Sequence, residues 1–263
     1  MKLALFGALR IGEIDQSLAA SSTNVAAQVR RWFDPGCHES LEIESSLEFY
    51  EHYSGCSGEE VLDFQRVKKR TAKLTTGFSQ VTLQNLRAWM LGKDMAAEAS
   101  PVTVTNQTLN PTTGANANIV GDYLQLGHMN IAALTITGNA IALVAGTDYE
   151  LNPVTGDIRV LAPITGPVVA TTYTHQNPRG TALFTEAQKN YVILLNGTNQ
   201  DGGAQGQFCL YKVTLALSGG LAVTSSEIST MSCEGAVLAD YSKTLGGALG
   251  QFGFIRGFGI PNA

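Results

Sequence analysis

From Ser40 the chain alternates in character: Leu41, Ile43, Leu47 and Phe49 are apolar, while Glu42, Glu44, Ser46 and Glu48 are polar. Successive side chains of a strand point to opposite faces, so this period of two predicts a half-buried β-strand. The stretch Glu51 to Glu60, with two glycines and two serines, predicts a turn-rich excursion. Phe64 to Leu74 predicts the returning strand and carries Arg66, Lys68, Lys69, Arg70 and Lys73. An acidic arm thus faces a basic one, and each cross-strand pair of opposite charge contributes up to about 1 kcal/mol. After Gly77-Phe78-Ser79 the period lengthens. Leu83, Leu86, Trp89 and Met90 recur at helical spacing and Gly92 closes the run, which predicts an amphipathic helix over about 80–91 packing those four on the core. Residues 1–38 show no sustained period and are expected to form an irregular N-terminal arm.

The texture changes at Ser100-Pro101. Runs at 102–109, 123–126, 133–137, 149–151, 158–161 and 168–173 predict six short strands, and Asn152-Pro153-Val154-Thr155-Gly156-Asp157 predicts a hairpin turn. That spacing suits a small Ig-like β-sandwich inserted over 101–177 and leaving through Asn177-Pro178-Arg179-Gly180. Beyond it, 191–195, 208–217, 221–226 and 232–238 predict strands, 196–206 a Gly/Asn loop, and 245–259 a Gly-Phe-rich tail extended over a neighbouring surface. The expected fold is mainly β: a β-sandwich or partial barrel with one amphipathic helix. Its core is discontinuous, 39–100 and 178–263, around the inserted sandwich.

Composition narrows the function. Only 15 % of residues are charged, against about 25 % in typical soluble domains, which fits a surface covered by partners. The formal net charge of −5 argues against gripping duplex nucleic acid, which calls for a basic face. Cys37, Cys56, Cys209 and Cys233 form no Cys-x-x-Cys pair and read as free thiols of a reducing cytosol, with disulfides left open by the even count. The apolar run from Met1 to Leu9 is too short for a secretory signal, and no stretch reaches the roughly eighteen apolar residues of a membrane span. The glycine clusters lack a phosphate-binding lysine, and His38, His52, His128 and His175 are scattered, as surface or interface residues are. Glu42, Glu44 and Glu48 could suggest a glycosidase pair, but three carboxylates on one strand face are more simply solvated. No catalytic, cofactor-binding or metal-ligating residue is expected.

Three segments carry a resemblance. Tyr53-Ser54-Gly55, then Val61 to Leu74, Phe78-Ser79 and the helix Asn85-Leu86-Arg87-Ala88-Trp89-Met90-Leu91-Gly92 resemble phage tail tube proteins, with Arg87 bulkier and more polar than the family's usual residue there. Gly146-Thr147-Asp148-Tyr149-Glu150-Leu151, Gly156-Asp157-Ile158-Arg159-Val160 and Tyr173 look like inserted modules of the same proteins. Leu210-Tyr211-Lys212-Val213, Glu227-Ile228-Ser229 and Glu234 to Asp240 resemble the family's C-terminal strands.

The resemblance implies a virion protein, assembled in the host cytoplasm, that forms hexameric rings stacked into a hollow tail tube. Its partners would be further copies of itself, the tip or baseplate, the terminator and, in a contractile tail, a sheath. DNA would pass through the lumen without specific binding, and no membrane or cofactor is implied. On this reading Glu42, Glu44 and Glu48 face the lumen, or alternatively pair with the basic arm at a subunit seam. Leu41, Ile43, Leu47 and Phe49 face the core and the helix. His52, Tyr53, Ser54, Gly55, Gly58, Glu59 and Glu60 form the contact between rings, so charge reversal at Glu59 and Glu60 is expected to weaken polymerisation. The alternatives are another virion component, such as a decoration or baseplate hub subunit, and a carbohydrate-binding or adhesive module. The adhesive reading needs exposed aromatics in the insert, whereas Tyr123, Tyr149 and Tyr173 each read as core.

Overall fold

The computed structural model describes residues 5–18, 25–54, 60–112, 118–200, 202–220, 230–243 and 250–259. The chain forms two compact units, Met1–Lys93 with Thr181–Ala263, and Asp94–Gly180. In chain order the strands are β1 (Leu5–Ile14), β2 (Val29–Phe33), β3 (His38–Ser54) and β4 (Val61–Phe78), followed by α1 (Leu83–Trp89) and β5 (Lys93–Met95). The second unit carries β6 (Val102–Asn110), β7 (Tyr123–Gln125), β8 (Ala132–Gly138), β9 (Ile141–Ala142), β10 (Tyr149–Asn152), β11 (Asp157–Val160) and β12 (Val168–His175). The chain returns through β13 (Gly180–Ala182), β14 (Asn190–Asn199), β15 (Gln205–Thr214), β16 (Ala216–Leu217), β17 (Met231–Val237) and β18 (Gly253–Gly257). The protein is mainly β, with one α-helix among the described residues.

The first unit is built on one antiparallel sheet in the order β2-β1-β14-β15-β17-β4-β3, with β16 beside β17 and β18 beside β15. It stays open, ending in the edge strands β2 and β3, and closes no barrel. The N-terminal segment, expected to be irregular, supplies two of its strands. Leu9 and Ile11 enter the main core beside Leu195, Leu210, Leu74 and Phe78. The alternation was hidden because Gly7 and Glu13 share their face while Ala8 and Ile14 sit on the other. In the tail, Gly253–Gly257 is extended and pairs with β15, Phe258 beyond it is fully buried, and residues 244–249 lie outside the described residues.

The helix is shorter than predicted and differently turned. Thr82 caps it by accepting from the Asn85 backbone N–H at 3.2 Å. Its buried face is Asn85, Ala88 and Trp89, with Met90 at the C-cap also buried, Leu86 only partly so, and Leu83 exposed. The rotation follows from the Asn85 amide, which donates to the carbonyls of Pro35 (2.8 Å) and Gln80 (2.9 Å) and so turns a polar residue inward. The Trp89 ring stacks on Phe78, with centroids 4.6 Å apart. Arg87 pairs with Glu13 of β1 at 2.5 Å, so the polar residue at this position has a carboxylate partner from the sheet.

Residues 196–206, expected to be a loop, are largely strand. Gly7, Gly197, Gly206 and Gly257 stand opposite one another on β1, β14, β15 and β18, forming one row across four strands. A Cβ on Gly197 would lie 2.2 Å from the Phe6 carbonyl oxygen, and one on Gly206 would lie 2.5 Å from the Phe258 ring. These glycines mark close approach of backbone and an aromatic ring, not a turn.

The second unit has a three-stranded sheet, β10-β11-β7, and a four-stranded sheet, β6-β12-β8-β9. Leu126, Ile136, Tyr149, Ile158, Val168 and Tyr173 are among the residues of its core. Tyr123 does not belong there: it is 70 % exposed, because it lies on the solvent side of β7 while Leu124 turns inward. His175, expected at the surface, is buried.

Candidate assembly surface on the β3–β4 arm

The last residue of β4 that pairs with β17 is Ala72, opposite Val237. Beyond it β4 pairs with β3 alone, through Thr71–Ser46 to Val61–Ser54. Eleven residues at about 3.4 Å each carry this two-stranded ribbon about 35 Å past the sheet. Strand β3 therefore continues to Ser54, three residues beyond the point where the excursion was expected to begin. Each residue from Glu51 to Ser54 opposes a residue of β4 across the ribbon, from Gln65 to Val61, with a register shift between His52 and Tyr53. His52, Tyr53 and Ser54 are strand residues, Glu60 is exposed coil, and Gly55, Gly58 and Glu59 lie outside the described residues.

The register divides the arm into two faces. One bears Ile43, Leu47, Phe49 and Tyr53 from β3, with Val67 and Leu62 opposite Phe49 and Tyr53 on β4 and Arg70 opposite Leu47. It prolongs the core side of the sheet, where Leu74, the partner of Ile43, is fully buried. Ile43, Leu47 and Phe49, expected to face core and helix, instead leave the core and are exposed, Leu47 to 51 %. Only Leu41, at the root, is packed against the core.

The opposite face carries Glu42, Glu44 and Glu48, all exposed, together with Lys73 and Lys69, which stand opposite Glu44 and Glu48. Lys68, at the register shift, pairs with Glu48 at 2.9 Å, and Lys73 pairs with Glu234 of β17 at 2.7 Å. The hydrogen bond from Lys68 holds the Glu48 carboxyl below its usual range and raises the ammonium of Lys68. The face is thus mixed in sign. Toward the tip, Tyr50 meets Phe64 edge-on with centroids 6.4 Å apart, and the Arg66 guanidinium lies 5.4 Å over the Tyr50 ring. His52 Nδ1 approaches Asp63 at 2.7 Å. Arg66 was read as part of the basic arm and Phe64 as the start of its strand, but their cluster with Tyr50 was not foreseen. Their signal was a register with a bulge between Glu48 and Phe49, which spacing within one strand does not reveal.

Cys37 is an exposed free thiol, Cys209 and Cys233 are buried free thiols, and Cys56 lies outside the described residues. Burial pushes the Cys209 and Cys233 thiols up to about 12 and keeps both unreactive. No group of three or more metal-ligating side chains occurs among the described residues, and no helix there is long and apolar enough to cross a membrane. In comparisons with known proteins, the family model described as "Protein of unknown function UCP028589" matches residues 18–256. No curated protein matches the chain.

Proposed function

The chain belongs to the family described as protein of unknown function UCP028589, and we propose that it is a structural subunit of a phage tail tube, forming stacked hexameric rings around a DNA-conducting lumen. The observation that carries this reading is the β3–β4 arm. A two-stranded ribbon is at best marginally stable in water, and this one exposes an apolar face and two strand edges. Neighbouring subunits would cover the apolar face and pair the edges. Fully burying one such Leu or Phe contributes about 1.5–3 kcal/mol.

Rings that close head to tail and then stack would use the arm and the open edges β2 and β3 together. The Lys68–Glu48 pair, and Lys73 standing opposite Glu44, favour a role for Glu44 and Glu48 beside the basic arm over a purely acidic lumen wall, whereas Glu42 stands opposite Thr75. DNA would pass without specific contacts, and tip, terminator and sheath proteins would meet the ends and outside of the tube.

Light scattering on a Leu47→Glu, Phe49→Glu double variant tests the arm. The expected result is loss of large species with unchanged far-UV circular dichroism; assembly equal to that of the parent chain would contradict the role given to the apolar face. A second reading, an adhesive role for the insert, is favoured by exposed Tyr123, which stands in register with Arg159 and through it Glu150. Glycan binding lost in Tyr123→Ala would support that role.

A further inference from the structure

Three segments of the second unit meet in one polar cluster. Gln107 Nε2 donates to the Leu126 carbonyl at 3.0 Å, which turns Gln107 Oε1 toward Tyr173, and the Tyr173 hydroxyl donates to that oxygen. With its single proton committed, the Tyr173 oxygen accepts from His128 Nδ1 at 2.7 Å. His175 Nδ1 lies 2.9 Å from Glu98 Oε2, an atom that can only accept. Both imidazoles therefore carry a proton on Nδ1, and each has only Nε2 left to take another. The two rings stack almost parallel, with centroids 3.8 Å apart and 13° between planes.

Glu98 also clasps the ends of the unit. It accepts from the Asn177 backbone N–H at 2.6 Å and from Asn177 Nδ2 at 3.1 Å, while its own N–H donates to the Asn177 carbonyl at 3.1 Å. Asn177 Oδ1 accepts from the Met129 N–H at 2.9 Å, and the Gln176 N–H donates to the Met129 carbonyl. The histidine stack thus lies between the clasp and the loop that carries His128. Glu98 faces His175 from the entering segment and Tyr173 faces both rings from β12, while Asp94 and Arg179 pair with each other at 3.4 Å. Asp157 belongs to the turn beside the His128 carbonyl, where it accepts from Thr155 Oγ1 at 2.6 Å, and β6 and β8 bring no ionisable group.

We propose that this histidine pair is an acid-sensitive latch: the stack accommodates one added proton beside Glu98, and protonation of the second ring separates the rings and opens the clasp. Imidazoles change charge between pH 5 and 8, and two cations face to face repel through a thin, poorly screened gap. Glu98 does not open the latch first. The Asn177 N–H, more than any other group, holds its carboxyl below the usual range despite some cost of burial, so it stays ionised across the pH range of the test below.

Amide exchange on the full chain tests this, read as protection relative to the intrinsic rate at each pH. The amides of Glu98, Met129, Gln176 and Asn177 are expected to lose at least tenfold in protection from pH 7.5 to 5.5, while those of Val160 and Ile164 hold. His128→Phe keeps a flat ring on the stack without a proton site, and should retain protection at pH 5.5; His128→Gln checks the result should the phenyl ring pack poorly. Unchanged protection in the parent chain, equal loss in both variants, or loss shared by Val160 and Ile164 would each overturn the latch.

Discussion

Asn85 is the polar residue on which the helix hangs. Asn85→Ala removes a buried hydrogen bond to the Pro35 carbonyl and a part-buried one to that of Gln80, and is expected to cost about 1–3 kcal/mol in urea unfolding. A change within a few tenths would show that the helix is held without these hydrogen bonds. Glu13 makes a second residue-level case. Burial would raise its carboxyl, but the Lys189 ammonium at 3.0 Å and the Arg87 guanidinium outweigh that and hold it below its ordinary value. A carboxyl lowered on folding contributes stability above its unfolded value of about 4.3, and that contribution is lost as pH falls through the folded value. Glu13→Gln should therefore cost about 1–3 kcal/mol at pH 7, with the difference from the parent chain shrinking in acid. A difference constant with pH would contradict the ion-pair account. Neither residue was legible as structural in the sequence, because a lone Asn on a helix or Glu on a short strand carries no mark of its partner. Trp89 was legible, since its size and its place in the helical stripe leave few alternatives to burial.

Elements were legible where polarity alternates on one face and obscure where both faces are mixed. Strands β3 and β4 follow from their alternation, but the extent of the arm does not, because where β17 stops pairing depends on a strand some 160 residues away. Strand β1, the second half of β14 and the start of β15 were obscured by their glycines, which usually signal turns and here allow four strands to approach closely. Gly197→Val tests that reason. Its Cβ would strike the Phe6 carbonyl, so the variant should lose about 1–3 kcal/mol or more, as overpacked sites do. Full tolerance would mean that the glycine row has no steric basis. The register of the helix was misread because hydrophobic size suggests Leu83, whereas the Asn85 hydrogen bonds select the face actually buried.

At the scale of the molecule, the proposed assembly rests on sheet topology and surface among the described residues. The first unit ends in two unpaired edges, and its longest strand pair leaves the core with an apolar face uncovered. The sequence signalled this only indirectly, through a low share of charge, because exposure of Leu47 and Phe49 depends on where the sheet stops beneath them. Negative-stain electron microscopy of the purified full-length chain is the most direct test. The account predicts rings or hollow tubes with six-fold end views; a chain that stays monomeric at high concentration, even when supplied with preformed tail tips to start assembly, would contradict it.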